Sequence, residues 1–466
     1  MRFSGPSKSA PFAPLHLTKK QQQECQDLTL QLLDRTLRGY DERSECVDSS
    51  DAGAPRHHSN LDRSRWKQLK TQTNASLYAE KANSPWRDLN LPGGSWENPC
   101  ALVAVGTIDD SLDEVMFGLE TPDFPTVQLR SETLLNHPLE GAVLAQLAGP
   151  TEANPFQFMG VTWMAGERRW PFKLVAHRRD FVVVSATGVM TRTNGELVGY
   201  EVLQSIDLPQ CPPLAKPTVR GKLLYGAIYR QRDDGDVDVF VQMYIEAHCH
   251  LFDRLVVADI WESALGFWNA PSLSEAKKLQ WCMDNKSVLR WQPTATSVED
   301  SGIIKAKHCE NCPGKRRSST SRRRSTHLSD HGTCALCAAQ ICSSCRVKRT
   351  LKIPDENGAK LLDLRIAVCR VCMMFVQHQE PAEIALDNQT QREAQLKNSK
   401  RKGAEKSPAF GGVRGLAMFS RLGTNQRYPS ISVSDLVRMI NSLSDIGVNQ
   451  MLRASQTVRR KTDPLH

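Results

Sequence analysis

Over residues 65–247, apolar and polar positions alternate in short runs separated by Gly, Pro, Asn and Asp. The runs WKQLKTQTN, SLYAEK, ALVAVGTI, AVLAQLA, FQFMGVTWMA, DFVVVSATGVM, ELVGYEVLQSI, KLLYGAIYRQ and DVFVQMYIEA are rich in β-branched and aromatic residues and read as strands. Asn194-Gly195 and Asp234-Gly235 read as hairpin turns, because glycine takes the positive φ such turns need. The spacing changes elsewhere. Residues 15–40 carry Leu28, Leu30, Leu32, Leu33 and Leu37 at helical intervals, and residues 111–118 read as a short helix capped by Ser111 or Asp110. Residues 252–283 present an apolar helical face of Leu255, Val256, Ile260, Ala264, Phe267, Trp268, Ala276, Leu279 and Trp281, with a kink or break expected at Pro271.

An amphipathic helix cannot bury itself. Laid against the concave face of a strongly curved antiparallel sheet it closes a core, which predicts an α+β domain. Trp163, Phe181, Tyr200, Tyr225, Phe240, Tyr244, Trp261 and Trp268 either fill that space or line a cavity, and each taken alone reads first as core.

The strongest chemical signal lies farther along. Eight of the 14 cysteines form four Cys-x-x-Cys pairs: Cys309/Cys312, Cys334/Cys337, Cys342/Cys345 and Cys369/Cys372. Two thiolates separated by two residues can share one tetrahedral metal. Four pairs supply two closed zinc sites with no position left for water, so the expected cofactor is two structural Zn2+ ions. Cys25, Cys46, Cys100, Cys211, Cys249 and Cys282 are scattered singly, unlike a disulfide framework. No signal-peptide core and no apolar run of transmembrane length is read, so a reducing cytosol or nucleus is expected, with the cytoplasm first and peripheral placement on endosomal or other cytosolic membrane faces.

Net charge is +9, and the basic clusters Lys315-Arg316-Arg317, Arg322-Arg323-Arg324, Lys400-Arg401-Lys402 and Arg459-Arg460-Lys461 all follow residue 300. They suggest an anionic partner, with membrane lipid ranked ahead of nucleic acid. Residues 377–411 read as an exposed helix or linker. Residues 432–452 carry Val433, Leu436, Val437, Ile440, Leu443 and Ile446 as an apolar stripe, which fits either docking on its own protein or a protein partner.

The order of elements, with Arg178-Arg179-Asp180-Phe181-Val182, Gly199-Tyr200-Glu201-Val202 with Ser205, Val219-Arg220-Gly221-Lys222-Leu223 and Lys277-Lys278-Leu279, resembles the START-type helix-grip fold over residues 15–286. That resemblance implies a hydrophobic ligand such as a lipid. Arg179 and Asp180 read as a structural ion pair or turn. The cysteine spacing resembles a FYVE-type zinc finger over residues 304–377, leaving 378–466 as a partly disordered basic linker with an amphipathic C-terminal helix. The finger resemblance implies a cross-brace: Cys309, Cys312, Cys342 and Cys345 on one zinc, Cys334, Cys337, Cys369 and Cys372 on the other. Spacing alone also permits sequential pairing.

Each four-thiolate site would carry a formal charge of about −2, which Arg346, Lys348, Arg349 and Arg370 could offset from beside the ligands. The finger departs from its family pattern at Ser329-Asp330-His331-Gly332-Thr333-Cys334, at Ala367-Val368 and at Ile303-Ile304-Lys305-Ala306-Lys307-His308. Those departures argue against specific 3-phosphoinositide reading and leave diffuse attraction to anionic lipid. The loop GKRRSSTSRRRSTHL reads as a phosphorylation switch on that attraction. The expected function is a non-enzymatic lipid-binding or membrane-associated adaptor. The alternative is a RING-like ubiquitin ligase or another zinc-dependent interaction module. No Gly-x-Ser-x-Gly elbow supports hydrolysis, and His248-Cys249-His250 reads as incidental.

Overall fold

The structure, a computed structural model, describes residues 10–45, 61–72, 74–81, 91, 96, 99–135, 139–166, 178–246, 261, 266–285, 332–354 and 361–404. The first cysteine pair, the serine-arginine loop, His248-Cys249-His250 and the 432–452 stripe lie outside them.

All nine expected strands form. Strands β1 (Trp66–Gln72), β2 (Ala75–Glu80), β3 (Pro99–Ile108), β4 (Leu139–Ala148), β5 (Phe158–Gly166), β6 (Arg179–Thr191), β7 (Leu197–Ser205), β9 (Leu223–Gln231) and β10 (Val237–Glu246) join one sheet in the order β1-β2-β3-β10-β9-β7-β6-β5-β4. These neighbours pair antiparallel. The β3–β10 ladder joins the start of the domain to its end. A two-residue strand not anticipated from the sequence, β8 (Val219–Arg220), pairs parallel to β6. Gly195 and Gly235 take φ of +83° and +98° in their hairpin turns, the region that favours glycine.

Both faces of the sheet are covered, and the two-residue period of a strand sorts its side chains between them. Ala101, Val103, Val105, Leu224, Ile228, Phe240 and Tyr244 face helix α1 (Lys19–Glu45), meeting Leu32, Leu33 and Tyr40. Ala104, Tyr225, Ala227, Tyr229, Val239 and Val241 face the other way, toward helix α2 (Leu112–Leu119). We call this second side the inner face. Helix α1 buries Cys25, Thr29, Leu32, Thr36, Tyr40 and Arg43 while Leu30 stays 61% exposed, so its stripe runs through threonines as well as leucines. Where α1 crosses β9, a Cβ on Gly226 would lie 2.0 Å from Thr36 Oγ1.

Ser111 caps α2 by accepting from Glu114 N, as the sequence indicates. Helix α3 (Phe124–Arg130), not anticipated, starts at an Asp123 cap that accepts from Thr126 N at 2.9 Å, with Pro125 in its first turn. The chain turns at Trp268–Asn269 and starts again as helix α4 (Ala270–Asp284), so Pro271 sits in a first turn where its missing N–H costs nothing. Helices α2 and α4 approach closely at Gly118, where a Cβ would lie 2.2 Å from Ala270 O.

The remaining elements are strands β11 (Arg346–Pro354) and β12 (Leu361–Cys369), paired antiparallel, then helices α5 (Arg370–Gln377) and α6 (Pro381–Ala404). Residues on either side of the expected 286–304 boundary share a core: Leu279, Cys282, Ala276 and Trp281 of α4 pack with Cys334, Ile341, Leu351, Val368 and Met373. The segment after residue 377, read as an exposed helix or linker, is helical and buries its first turn. Ile384 and Ala385 of α6 are 1% and 0% exposed, and the compact unit runs to Arg401, because an apolar turn inside a polar segment found a core to enter.

The carbonyls that end α2 are satisfied by side chains. Lys277 Nζ donates to Phe117 O at 2.5 Å and Glu120 O at 3.0 Å, and Arg130 Nη1 donates to Leu119 O at 2.7 Å. Cations at a helix C-terminus also favour its dipole.

Two outcomes follow. Gly118→Val should destabilise the protein by about 1–3 kcal/mol, because the methyl groups meet backbone that must shift; chemical denaturation measures it. Burial holds the Lys277 pKa down to about 8 despite the pull of Glu120, against 10.5 for an ordinary lysine. Between about pH 8 and 10.5 the unfolded chain therefore binds more protons at this site, so stability gains with rising pH. The difference in unfolding free energy between the native protein and Lys277→Met should move in favour of the native lysine from pH 7.5 to pH 9.5.

Candidate functional site

On the inner face a buried ion pair joins a helix to the sheet. Arg130, at the end of α3, reaches Glu201 on β7 with two bonds, Nη1 to Oε1 at 2.5 Å and Nη2 to Oε2 at 2.9 Å. Tyr225 Oη on β9 donates to Glu201 Oε2 at 3.3 Å, and the Tyr229 hydroxyl lies 3.5 Å from it. Strand alternation puts Glu201, Tyr225 and Tyr229 on one side, since β7 and β9 are neighbours. The ion pair is nearly dry, with side chains 11% and 4% exposed. Burial alone would lower the Arg130 pKa, but the charge and hydrogen bonds of Glu201 outweigh it and raise it. Burial, then Tyr229 and Glu201, pushes the Tyr225 hydroxyl well above its ordinary value, and burial does the same for Tyr229. Both stay protonated donors at neutral pH.

Phe267 packs beside this cluster, 5.6 Å from the Tyr225 ring and 5.1 Å from the Arg130 guanidinium. Trp261 and Trp268 belong to the same core, and neither indole N–H finds an acceptor. Trp261 is 2% exposed, so its unmet donor is a real cost to the folded state.

Of the eight aromatics singled out in the sequence, Tyr225, Trp261 and Trp268 lie on this face. Tyr200, Phe240 and Tyr244 pack toward α1, and Trp163 packs in a separate outer cluster while donating to Asp180 at 3.1 Å. Phe181 lies under Gly221. The structural ion pair expected at Arg179-Asp180 instead joins Asp180 to Arg220, at 2.9 Å. That pairing follows from β8, which lays Arg220 beside Asp180. Arg130 and Tyr229 had no sequence signal of their own. Glu201 had one: a carboxylate at the core-facing parity of an otherwise apolar strand.

The second candidate is the cysteine cluster. Sγ atoms of Cys334, Cys337, Cys369 and Cys372 lie within 4.8 Å of one another, all buried. Cys334 and Cys337 sit on a tight turn in which Ala338 N donates to Cys334 O at 3.0 Å and Ala338 takes φ +59°. Ala335 N donates to Ala367 O at 2.8 Å, which ties that turn to β12. Cys369 ends β12 and caps α5, its Sγ accepting from Cys372 N at 3.3 Å. Cys369 N donates to Cys334 Sγ at 3.3 Å. The structure thus brings the second and fourth pairs together, the set the finger resemblance implies for one ion. Cys342 and Cys345 precede β11 and are not part of it.

The donor set suits zinc. A tetrahedral site with Zn–S of about 2.3 Å has sulfurs about 3.8 Å apart, and Cys337 and Cys369 Sγ stand 3.9 Å apart. Mutual hydrogen bonding lowers the pKa of Cys334 and raises that of Cys372, as expected when four thiols share one space. Among the described cysteines no disulfide forms. Arg349, expected to offset thiolate charge, is instead committed to Glu275 of α4 at 2.6 Å.

No protein-family model matches the chain. No curated protein matches it either. Among solved structures, the chain is similar to human StAR-related lipid transfer protein 5, with 15% identity over 54% of this chain and 97% of that one, at a TM-score of 0.35. Human STARD10 is 13% identical over 54% and 82%, at 0.31. The human StarD13 (DLC2) lipid transfer and protein localization domain is 14% identical over 45% and 85%, at 0.27.

The charged pair makes a stability prediction. Glu201→Leu leaves Arg130 buried without its carboxylate and should cost about 3–5 kcal/mol, whereas the double change Arg130→Met with Glu201→Leu should cost far less. Urea denaturation of the three chains tests this.

Proposed function

We propose that this protein binds a hydrophobic, lipid-sized ligand on the inner face of its sheet and catalyses no reaction. The observation that carries the reading is one buried polar cluster on an apolar wall. Arg130, Glu201 and Tyr225 sit in the same core as Trp261 and Trp268, whose indole donors have no acceptor. Ligand sites are mostly apolar with a few convergent polar groups that fix orientation. A lipid with a carbonyl, ester or hydroxyl oxygen would meet the indole donors, and its hydrocarbon would lie against Phe117, Phe156 and Phe267.

The cysteine module holds zinc as a structural element in this reading. Cys334, Cys337, Cys369 and Cys372 hold one ion, and Cys309, Cys312, Cys342 and Cys345 a second. A closed four-sulfur site contributes folding energy and leaves no coordination position for chemistry. With its basic segments, the chain acts near anionic cytosolic membrane faces as a lipid-binding adaptor.

Native mass spectrometry of full-length protein purified under reducing conditions from its own cells tests both parts. The expected spectrum carries the mass of two zinc ions and of a co-purified lipid released on activation. Protein without zinc would remove the metal reading, and protein with zinc but never a lipid adduct would remove the ligand reading.

A further inference from the structure

Helix α6 follows the cysteine cluster in the chain yet enters the core of the inner face. Its first turn carries Ile384 and Ala385, both buried, which belong to the same apolar core as Phe117 and Leu273. Two polar contacts hold the helix there. Asp387 Oδ2 accepts from Trp281 Nε1 on α4 at 2.6 Å, and Arg392 Nη1 donates to Asp123 Oδ2 at the start of α3 at 3.3 Å. Gln389 lies against Gly149 at the end of β4. The helix therefore bridges α3, α4 and the β4 end. Its other described side chains past Ala385 are half-buried or exposed, so little apolar burial anchors it.

Position and weak anchoring together suggest a movable part. Helices α2 and α4 are bound to each other along Gly118–Ala270 and by buried ion pairs, whereas α6 is held by one apolar turn and two half-exposed polar contacts. Its start is set from the other end. Cys369 caps α5, and only residues 378–380 separate α5 from α6, so the cysteine module fixes where α6 begins.

We propose that α6 is a latch over the ligand site: swinging away from α3 and α4 opens the inner face to lipid, and docking closes it. This rests on the hydrophobic-ligand reading above. Ligand exchange would then be limited by release of Asp387 and Arg392 rather than by separation of α2 from α4.

The test uses the full chain with phosphatidylcholine vesicles carrying a self-quenched fluorescent phospholipid, and amide hydrogen exchange in parallel. The Asp387→Leu/Arg392→Glu variant should take up the probe at least tenfold faster than the native chain, with residues 381–392 less protected. The single Arg392→Glu variant, which removes only a half-exposed contact, should show a smaller change in the same direction. Unchanged uptake rates with α6 demonstrably less protected would overturn the latch. If neither chain takes up probe, the ligand reading itself fails. The latch is then decided by the amides of β9 and β10: faster exchange in the double variant supports a cover, and unchanged exchange overturns it.

Discussion

Helix α4 has to be buried on two sides at once, and much of the molecule is arranged to make that tolerable. Its first half packs Ala270 and Leu273 into the inner core, and its second half packs Leu279 and Cys282 among the cysteines. A helix so placed turns much of its charge inward, although Asp284 at its end reaches water. Lys278, 1% exposed, pairs with Glu114 of α2 and donates to Gln377 O at the end of α5 at 3.0 Å. Ser274 shares the same Glu114 carboxylate. One buried cation thus joins three helices, two from the sheet domain and one from the cysteine module. Removing either charge would strand the other, which is why such a group holds elements in fixed register.

The sheet obeys the same constraint over a larger area. With α1 on one face and α2 and α4 on the other, its central strands have few positions that reach water, so the residues of LLYGAIY on β9 are apolar or aromatic at both parities. Most buried charges in the sheet domain are answered by an opposite charge or a hydroxyl. Tyr40 and Arg43 of α1 meet Asp238 beneath the helix, and Arg192 bridges Asp41 and Glu196 at its end. Glu201 is answered by Arg130 on the opposite face. The indoles of Trp261 and Trp268 and the side-chain amide of Gln204 are not answered, and each unmet buried group costs the folded state.

Legibility in the sequence followed the range of the interaction. The strands, the two glycine turns and the Ser111 cap depend on neighbours within a few residues, and each was readable. The cysteine pairs were readable too, because two-residue spacing is itself the chemistry. Helix α3 has only a short local signature, an Asp123 cap with Pro125 in the first turn. The buried stripe of α1 was only half readable, since Thr29 and Thr36 look solvent-facing until β9 offers Gly226 for close approach. The Arg130–Glu201 pair spans 71 positions and exists only because the chain passes α3 back over β7. Ile384, Ala385 and Leu386 form one short apolar turn in a polar segment, and no local rule sends it to a core more than a hundred residues earlier in the chain.

These long-range contacts make the cysteine cluster more than a small domain's staple. Its N–H···S bonds orient Cys369, Cys369 caps α5, and the end of α5 receives Lys278 from α4. Three residues later α6 begins and runs toward Asp123. Each step is a direct contact, so the geometry at four sulfurs sets where α6 starts, three residues beyond α5. A metal that stabilises the cluster would stabilise the second half of α4 with it, because Leu279 and Cys282 have no other core to enter. Occupancy of the cluster by a metal would therefore be coupled to the packing of α4, whose first half belongs to the inner core.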